Sequence, residues 1–228
     1  MKLLSCLLGI LFVVAASRPG AAVAPPAALM PRITVALQPL SYVPARFITS
    51  VSIGITSVYA VDVAVLPALA LPRNALYAPT GRYRAEALLS LLDRNTAPRY
   101  TKVLGLTAVD ISATKGKDYD WSISGYGWIG HRPAVVTTYK LGGHRVSLTL
   151  FRYRLIKVAN HELGHTFGLP HCPVGGCLMG DMKGTLRTLD HMTGAFCAHC
   201  RAALGHVLRA NLKPTGAPNR VGRAIARS

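Results

Sequence analysis

Residues 161 to 180 read HELGHTFGLPHCPVGGCLMG. His161 and His165 are four apart, so on a helix both imidazoles fall on one face, one turn apart, where they can grip one metal ion. Glu162 follows the first histidine and can reach a metal-held water without itself being a ligand. Gly168 can adopt a backbone conformation closed to other residues and end the helix sharply. The chain can then swing His171 back as third ligand. Three neutral nitrogens plus one water is the open arrangement of a catalytic zinc, which polarises a carbonyl and lowers the pKa of its water to about 7. Glu162 is then the general base, taking the water proton and passing it to the leaving amine. Met179, eight residues past His171, is expected to pack beneath the metal site. The sequence assigns no other side chain to the oxyanion.

Thiols stand at the edge of this motif. Cys172 and Cys177 flank its end, and Cys197 and Cys200 form a Cys-Ala-His-Cys turn. Four thiolates make a closed, structural zinc site, which would pin the loop carrying His171 to the C-terminal segment. Disulfides are the rival reading, and four cysteines allow three pairings. His199 lies inside the turn as a spare ligand or an exposed residue, and His191 and His206 read as surface groups.

The elements that must position these groups follow from periodicity. Leu150–Gly168 is expected to be the helix bearing the first two histidines. Upstream, Arg32–Leu40 reads as a first strand. Ser41 is a candidate cap for a helix with Pro44 in its first turn, striped by Val43, Phe47, Val51 and Ile55. Val61, Val63 and Val65 alternate as a strand, and 67–81 is a Pro-punctuated connection. Arg82–Arg94 is expected to be helical and Lys102–Ile111 a buried strand. TKGKDYD is expected to be a loop, followed by strands around Ser122–Ile129 and Ala134–Lys140. This βαβαβ order predicts an α/β domain built on a mostly parallel sheet.

Composition bounds the rest. The 228 residues suit a single domain, half of them hydrophobic. Lys2, the apolar run Leu3–Ala16 and the small residues after it read as a secretory signal over 1–17, with cleavage as late as 24 an alternative. An Ala/Pro-rich linker (18–31), the catalytic domain (32–212) and a basic disordered tail (213–228) would follow. No stretch after residue 20 is long and apolar enough to cross a membrane. The product is expected to be exported, periplasmic or extracellular, and monomeric. Net charge is +17, from 26 basic and 9 acidic residues, and Glu86 and Glu162 are the only glutamates. The arginines are scattered and not interleaved with aromatics, so a solubilising surface is preferred to a nucleic-acid partner.

The whole run resembles the archaemetzincin family of the metzincin clan, whose signature is HExxHxxGxxHCx4CxMx17CxxC. His161, Glu162, His165, Gly168, His171, Cys172, Cys177, Met179, Cys197 and Cys200 match every fixed position. RYRAEALLSLL and KVLGLTAVDI resemble the family's preceding helix and strand, so the likeness covers roughly residues 82–200. It implies a zincin-type fold: a twisted, mostly parallel sheet with an antiparallel edge strand, an active-site helix and a zinc-stapled C-terminal subdomain. It also implies two zinc ions per chain, one catalytic on the histidines and one structural on the cysteines. WSISGYGWIGHRPAVVTTYK takes the place of the edge strand above the cleft, where a peptide docks by strand addition. Its Ser-Gly-Tyr-Gly departs from the family's usual FGlA, so substrate preference is not carried over.

The function expected is zinc-dependent hydrolysis of short peptides, with aminopeptidase action implied by the resemblance. Asp181 or Asp118 would have to receive the free amine. The alternative is a zinc-stabilised protein that binds anionic surfaces or nucleic acid with little hydrolysis, which would leave Glu162 without a task.

Overall fold

The computed structural model describes residues 33–142 and 146–211. The expected leader, linker and basic tail lie outside the described residues. In chain order, the first elements are β1 (Thr34–Leu40), α1 (Ala45–Tyr59), β2 (Asp62–Val65), β3 (Leu76–Tyr77), β4 (Arg82–Arg84) and α2 (Ala85–Asn95). Then come β5 (Lys102–Thr107), β6 (Ile111–Lys115), β7 (Asp118–Ile123), β8 (Gly125–Gly127) and β9 (Pro133–Thr137). Three helices follow among the described residues: α3 (Leu148–Thr166), α4 (Leu186–His191) and α5 (Ala198–Asn211).

The main sheet has the order β2-β1-β5-β9-β8. β2, β1, β5 and β9 run parallel, and β8 joins β9 antiparallel at the edge. This is the mostly parallel sheet that the order of elements predicts, with the antiparallel edge that the family resemblance implies. Side chains alternate across it, as the strand period requires. Val35, Leu37, Leu104, Leu106 and Val136 join the core shared with α1 and α3, while Ala36, Val103 and Val135 join the core shared with α2. Burial on both faces explains why the central strands read as continuous apolar runs.

Several boundaries differ from expectation, each because a distant partner overrides local pattern. The stripe Val43, Phe47, Val51 and Ile55 is buried as expected. However, α1 begins after Pro44, and Ser41 takes a left-handed conformation (φ 64°) with its amide donating to the Leu69 carbonyl instead of capping. Arg82–Arg84 is strand, not helix: Tyr83 pairs with Ile111, and the Arg82 guanidinium binds Asp110 and Asp120 at 2.8 and 2.7 Å. The expected strand Lys102–Ile111 divides after Thr107. There the chain leaves the main sheet for a second one, ordered β3-β4-β6-β7, which the sequence did not suggest. The expected loop TKGKDYD is the tip of the β6–β7 hairpin. Lys115 pairs with Asp118 across Gly116 and Lys117, and Gly116 (φ 60°) supplies the positive φ such a two-residue turn needs. Ser122–Ile129 holds the end of β7 and the short β8, and the last strand stops at Thr137.

Candidate metal centres and the cleft beside them

α3 is capped by Ser147, whose hydroxyl accepts from the Leu150 amide, and every residue from Lys157 to Thr166 is buried. The helix follows β9 and returns along the edge strand, so its last turns lie against β8. The Gly130 amide donates to the His165 carbonyl there. Gly168, with φ 91°, ends the helix as its type allows. The chain then brings the His171 ring to 5.3 and 4.9 Å from the rings of His161 and His165.

The tautomers of the two helical histidines are set by carbonyl partners. Nδ1–H of His161 donates to the Leu178 carbonyl and that of His165 to the Leu169 carbonyl, both at 2.7 Å. Each Nε2 therefore presents a lone pair, and the two Nε2 atoms stand 3.0 Å apart. Two facing lone pairs repel unless a cation lies between them. Burial adds to this by holding both rings neutral, with pKa values lowered to about 3 for His161 and about 4 for His165. Nitrogens of all three histidines lie within 4.8 Å of one another. This donor set fits a zinc ion with an open position: His161 and His165 are buried, and His171 is exposed towards the cleft.

Glu162 sits beside this group, 4% exposed. Burial raises its pKa to about 8, and a hydrogen bond from the Gly127 amide works in the opposite direction. Contact with β8 is close enough to dictate residue type. A Cβ on Gly125 would stand 2.6 Å from Cγ of Glu162, and one on Gly127 2.6 Å from its carbonyl oxygen. The departure noted as Ser-Gly-Tyr-Gly is thus where α3 meets the edge strand, a role the sequence reading missed. Two glycines alternating around Tyr126 in a strand were the available signal. Met179 is fully buried, and a Cβ on Gly164 would meet its sulfur at 2.5 Å, so the methionine lies under the helix turn between the two ligand positions.

The cysteines form a second group. Sγ of Cys172 is 3.7 Å from that of Cys197, and Sγ of Cys177 is 3.8 Å from that of Cys200. All four sulfurs lie within 4.8 Å of one another, and none is in a disulfide. The Cys200 amide draws Cys197 down to about 7, which favours the thiolate a metal requires. The donor set is closed and backed by core residues, and it fits a structural zinc. His191, His199 and His206 are exposed and belong to neither group.

A cleft of about 640 Å³ opens over the three histidines and Glu162. Its walls come from the β6–β7 hairpin, from β8 and from residues 181–189. Asp181 lines it, whereas Asp118 does not. Two buried cations of α3 brace the far wall, another feature absent from the sequence reading. Arg154 grips both carboxylate oxygens of Asp190 at 2.7 and 2.6 Å, and Lys157 donates to the Leu189 carbonyl at 2.8 Å. α4 and α5, which the sequence reading left unassigned, carry that wall and the second cysteine pair.

Comparison with known proteins gives one consistent result. The sequence profile of peptidase family M54 matches residues 43–206. The chain is similar to the archaemetzincin of Methanopyrus kandleri, 37% identical over 146 residues, which cover 64% of this chain and 77% of the relative. The crystal structure of an archaemetzincin from that organism superposes with a TM-score of 0.70 at 29% identity, covering 80% of this chain and 99% of the other. The Archaeoglobus fulgidus archaemetzincin, solved in complex with malonate, gives a TM-score of 0.64 at 27% identity, covering 75% and 99%.

Proposed function

Because the chain belongs to peptidase family M54, the archaemetzincin zinc metallopeptidases, we propose that it hydrolyses short peptides in the cleft over His161, His165 and His171, with Glu162 as general base. The observation that carries this reading is the pair of unprotonated Nε2 atoms, 3.0 Å apart, beside a buried carboxyl at the cleft floor. A zinc ion held there supplies Lewis acidity to a scissile carbonyl and to a water molecule. Glu162 accepts the proton of the attacking water and returns it to the leaving nitrogen. Burial, against the opposing Gly127 hydrogen bond, raises its pKa to about 8, and the charge of an ion on the histidines would lower it again, which would leave the carboxylate poised to take and release a proton. The carbonyls of Leu178 and Leu169 hold the imidazoles in the orientation that ligation needs.

A second zinc on the four cysteines would staple the loop bearing His171 to α5. The leader-like residues 1–17 support export as the setting. Aminopeptidase action needs an anion for a free α-amine. Among the described residues Asp181 is the one aspartate lining the cleft, and the Lys183 amide, His171, Lys115 and Lys183 all stabilise its charged form. Those neighbours oppose an incoming ammonium and disfavour this mode.

Digestion of a diverse peptide library by the zinc-loaded, reduced protein tests the proposal, with Glu162→Gln as control. Cuts that vanish in the control are expected, and their positions separate aminopeptidase from endopeptidase action. No cuts with zinc confirmed on the histidines would overturn the reading.

A further inference from the structure

The two ends of the cleft differ in chemistry. Trp128 and Ile129 follow Gly127 directly and form an aromatic and aliphatic shelf at that end of β8. The other end is cationic. Lys140 lies three residues past Thr137, whose amide donates to the carbonyl of Ser124, just before Gly125. Lys115 stands over the Trp121 indole, 4.7 Å from ammonium to ring centroid, and Trp121 leads along β7 towards Gly125. Lys183 lines the cleft from the opposite wall, where Lys115 and Lys183 both act on the charge of Asp181 and a Cβ on the neighbouring Gly184 would lie 3.9 Å from the Trp121 ring. Three lysines from three separate elements thus line one end of the cleft. Among the described residues none of them forms an ion pair within 4.0 Å. Asp181 is the carboxylate beside them.

The direction of β8 sets which end of an antiparallel peptide would meet this charge. The hydrogen bond from Thr137 to Ser124 makes 124 and 126 the residues bonded to β9, so the backbone groups of Gly125 and Gly127 point outward from the sheet. A peptide added antiparallel to β8 would run from the Trp128 end to the Gly125 end, bringing its C-terminal side to the lysines. Charge gives the same direction independently, since a free carboxylate is attracted there and a free α-ammonium repelled.

We propose that Lys115, Lys140 and Lys183 form a receptor for negative charge on the C-terminal side of the scissile bond, so that the enzyme prefers short peptides carrying acidic residues and a free carboxylate there. This rests on the peptide-cleaving reading of the same cleft, and the test separates the two. Two fluorescent hexapeptides share an apolar N-terminal half. One ends in Asp-Glu with a free carboxylate, the other in Asn-Gln with an amide. Their affinity is measured on zinc-loaded Glu162→Gln protein, and their kcat/KM on the wild type. The acidic peptide is expected to bind about tenfold tighter at low salt, the scale of a few partly solvated ion pairs. The ratio should shrink at 0.5 M salt as screening shortens to about 4 Å. It should fall to near one in the triple Lys→Met variant and return in the triple Lys→Arg variant. Equal affinities, or a preference that the Lys→Met variant keeps, would overturn the proposal. Preferential binding without cleavage by the wild type would leave the receptor standing and overturn the peptidase reading instead.

Discussion

The histidine group and the cysteine group come from one stretch of chain, yet they are built for opposite ends. Cys172 directly follows His171, and its amide donates to the Met179 carbonyl, so the loop that ends one group begins the other. The histidine group keeps three donors, one of them exposed, and faces a cleft beside a buried carboxyl. The cysteine group has four donors, and Cys172, Cys177 and Cys200 belong to the buried core with Leu178, Met192 and Phe196. The first arrangement leaves a position for a reactant, and the second leaves none. Donor number and access to solvent, more than metal affinity, separate chemistry from architecture here.

The contrast predicts that damage to the two groups reads out differently. The largest effect is expected from Glu162→Gln. Peptide turnover should fall by about 10²–10⁴, the usual contribution of a general base, while the melting temperature holds within a few degrees. Loss of folding instead would make Glu162 part of the architecture and erase the distinction. Next comes Cys200→Ser. Losing a ligand of a structural metal should cost about 3–5 kcal/mol and lower the melting temperature by roughly 10 °C. Zinc on the histidines should be retained. Unchanged melting with zinc still bound would show that the cysteines are not a staple.

Gly127→Ala sharpens the comparison from the cleft side. A methyl there would meet the Glu162 carbonyl oxygen at 2.6 Å and push α3 off the edge strand. Expected are a stability loss of about 3 kcal/mol, from overpacking, and at least a tenfold drop in turnover, while the cysteine group keeps its metal.

What the sequence disclosed follows the same division. The spacing of His161, His165 and His171 was legible because a helical turn and a tight loop are local geometry. The cysteines, whose partners lie 25 and 23 residues apart, left zinc and disulfides open until the family resemblance favoured a second metal. The glycine pair in β8 was not legible, since the need for it comes from Glu162, 35 residues beyond Gly127. Residues 82–84 read as helix for a like reason. Their composition continues that of α2, and only pairing with Ile111 and Ser112 makes them strand. The hairpin tip looked like a charged loop because its strands are half-exposed and lack an apolar stripe. The bracing of α4 by Arg154 and Lys157 left no trace, since basic residues on a helix ordinarily read as solvent-facing.

The smallest effect concerns Lys102, which donates to the Thr166 carbonyl at the end of α3 from outside both groups. Burial, with Arg132 nearby, lowers its pKa from 10.5 to about 8. Between about pH 8 and 10.5 the unfolded chain therefore holds more protons than the native one, and this lysine makes stability rise with pH across that window. The rise should be at most about 3 kcal/mol and absent in Lys102→Met, as urea midpoints at a series of pH values would show.

On the proposed reading, residues 161–200 would hold two zinc ions, one on the histidines open to the cleft and one closed on the cysteines. Native mass spectrometry of the reduced protein tests it most directly, by counting zinc in the wild type, in His165→Ala and in Cys197→Ala. The account predicts two ions in the wild type and one in each variant, with the ion left in His165→Ala the slower to yield to a chelator. A single ion in the wild type, or two in either variant, would contradict it.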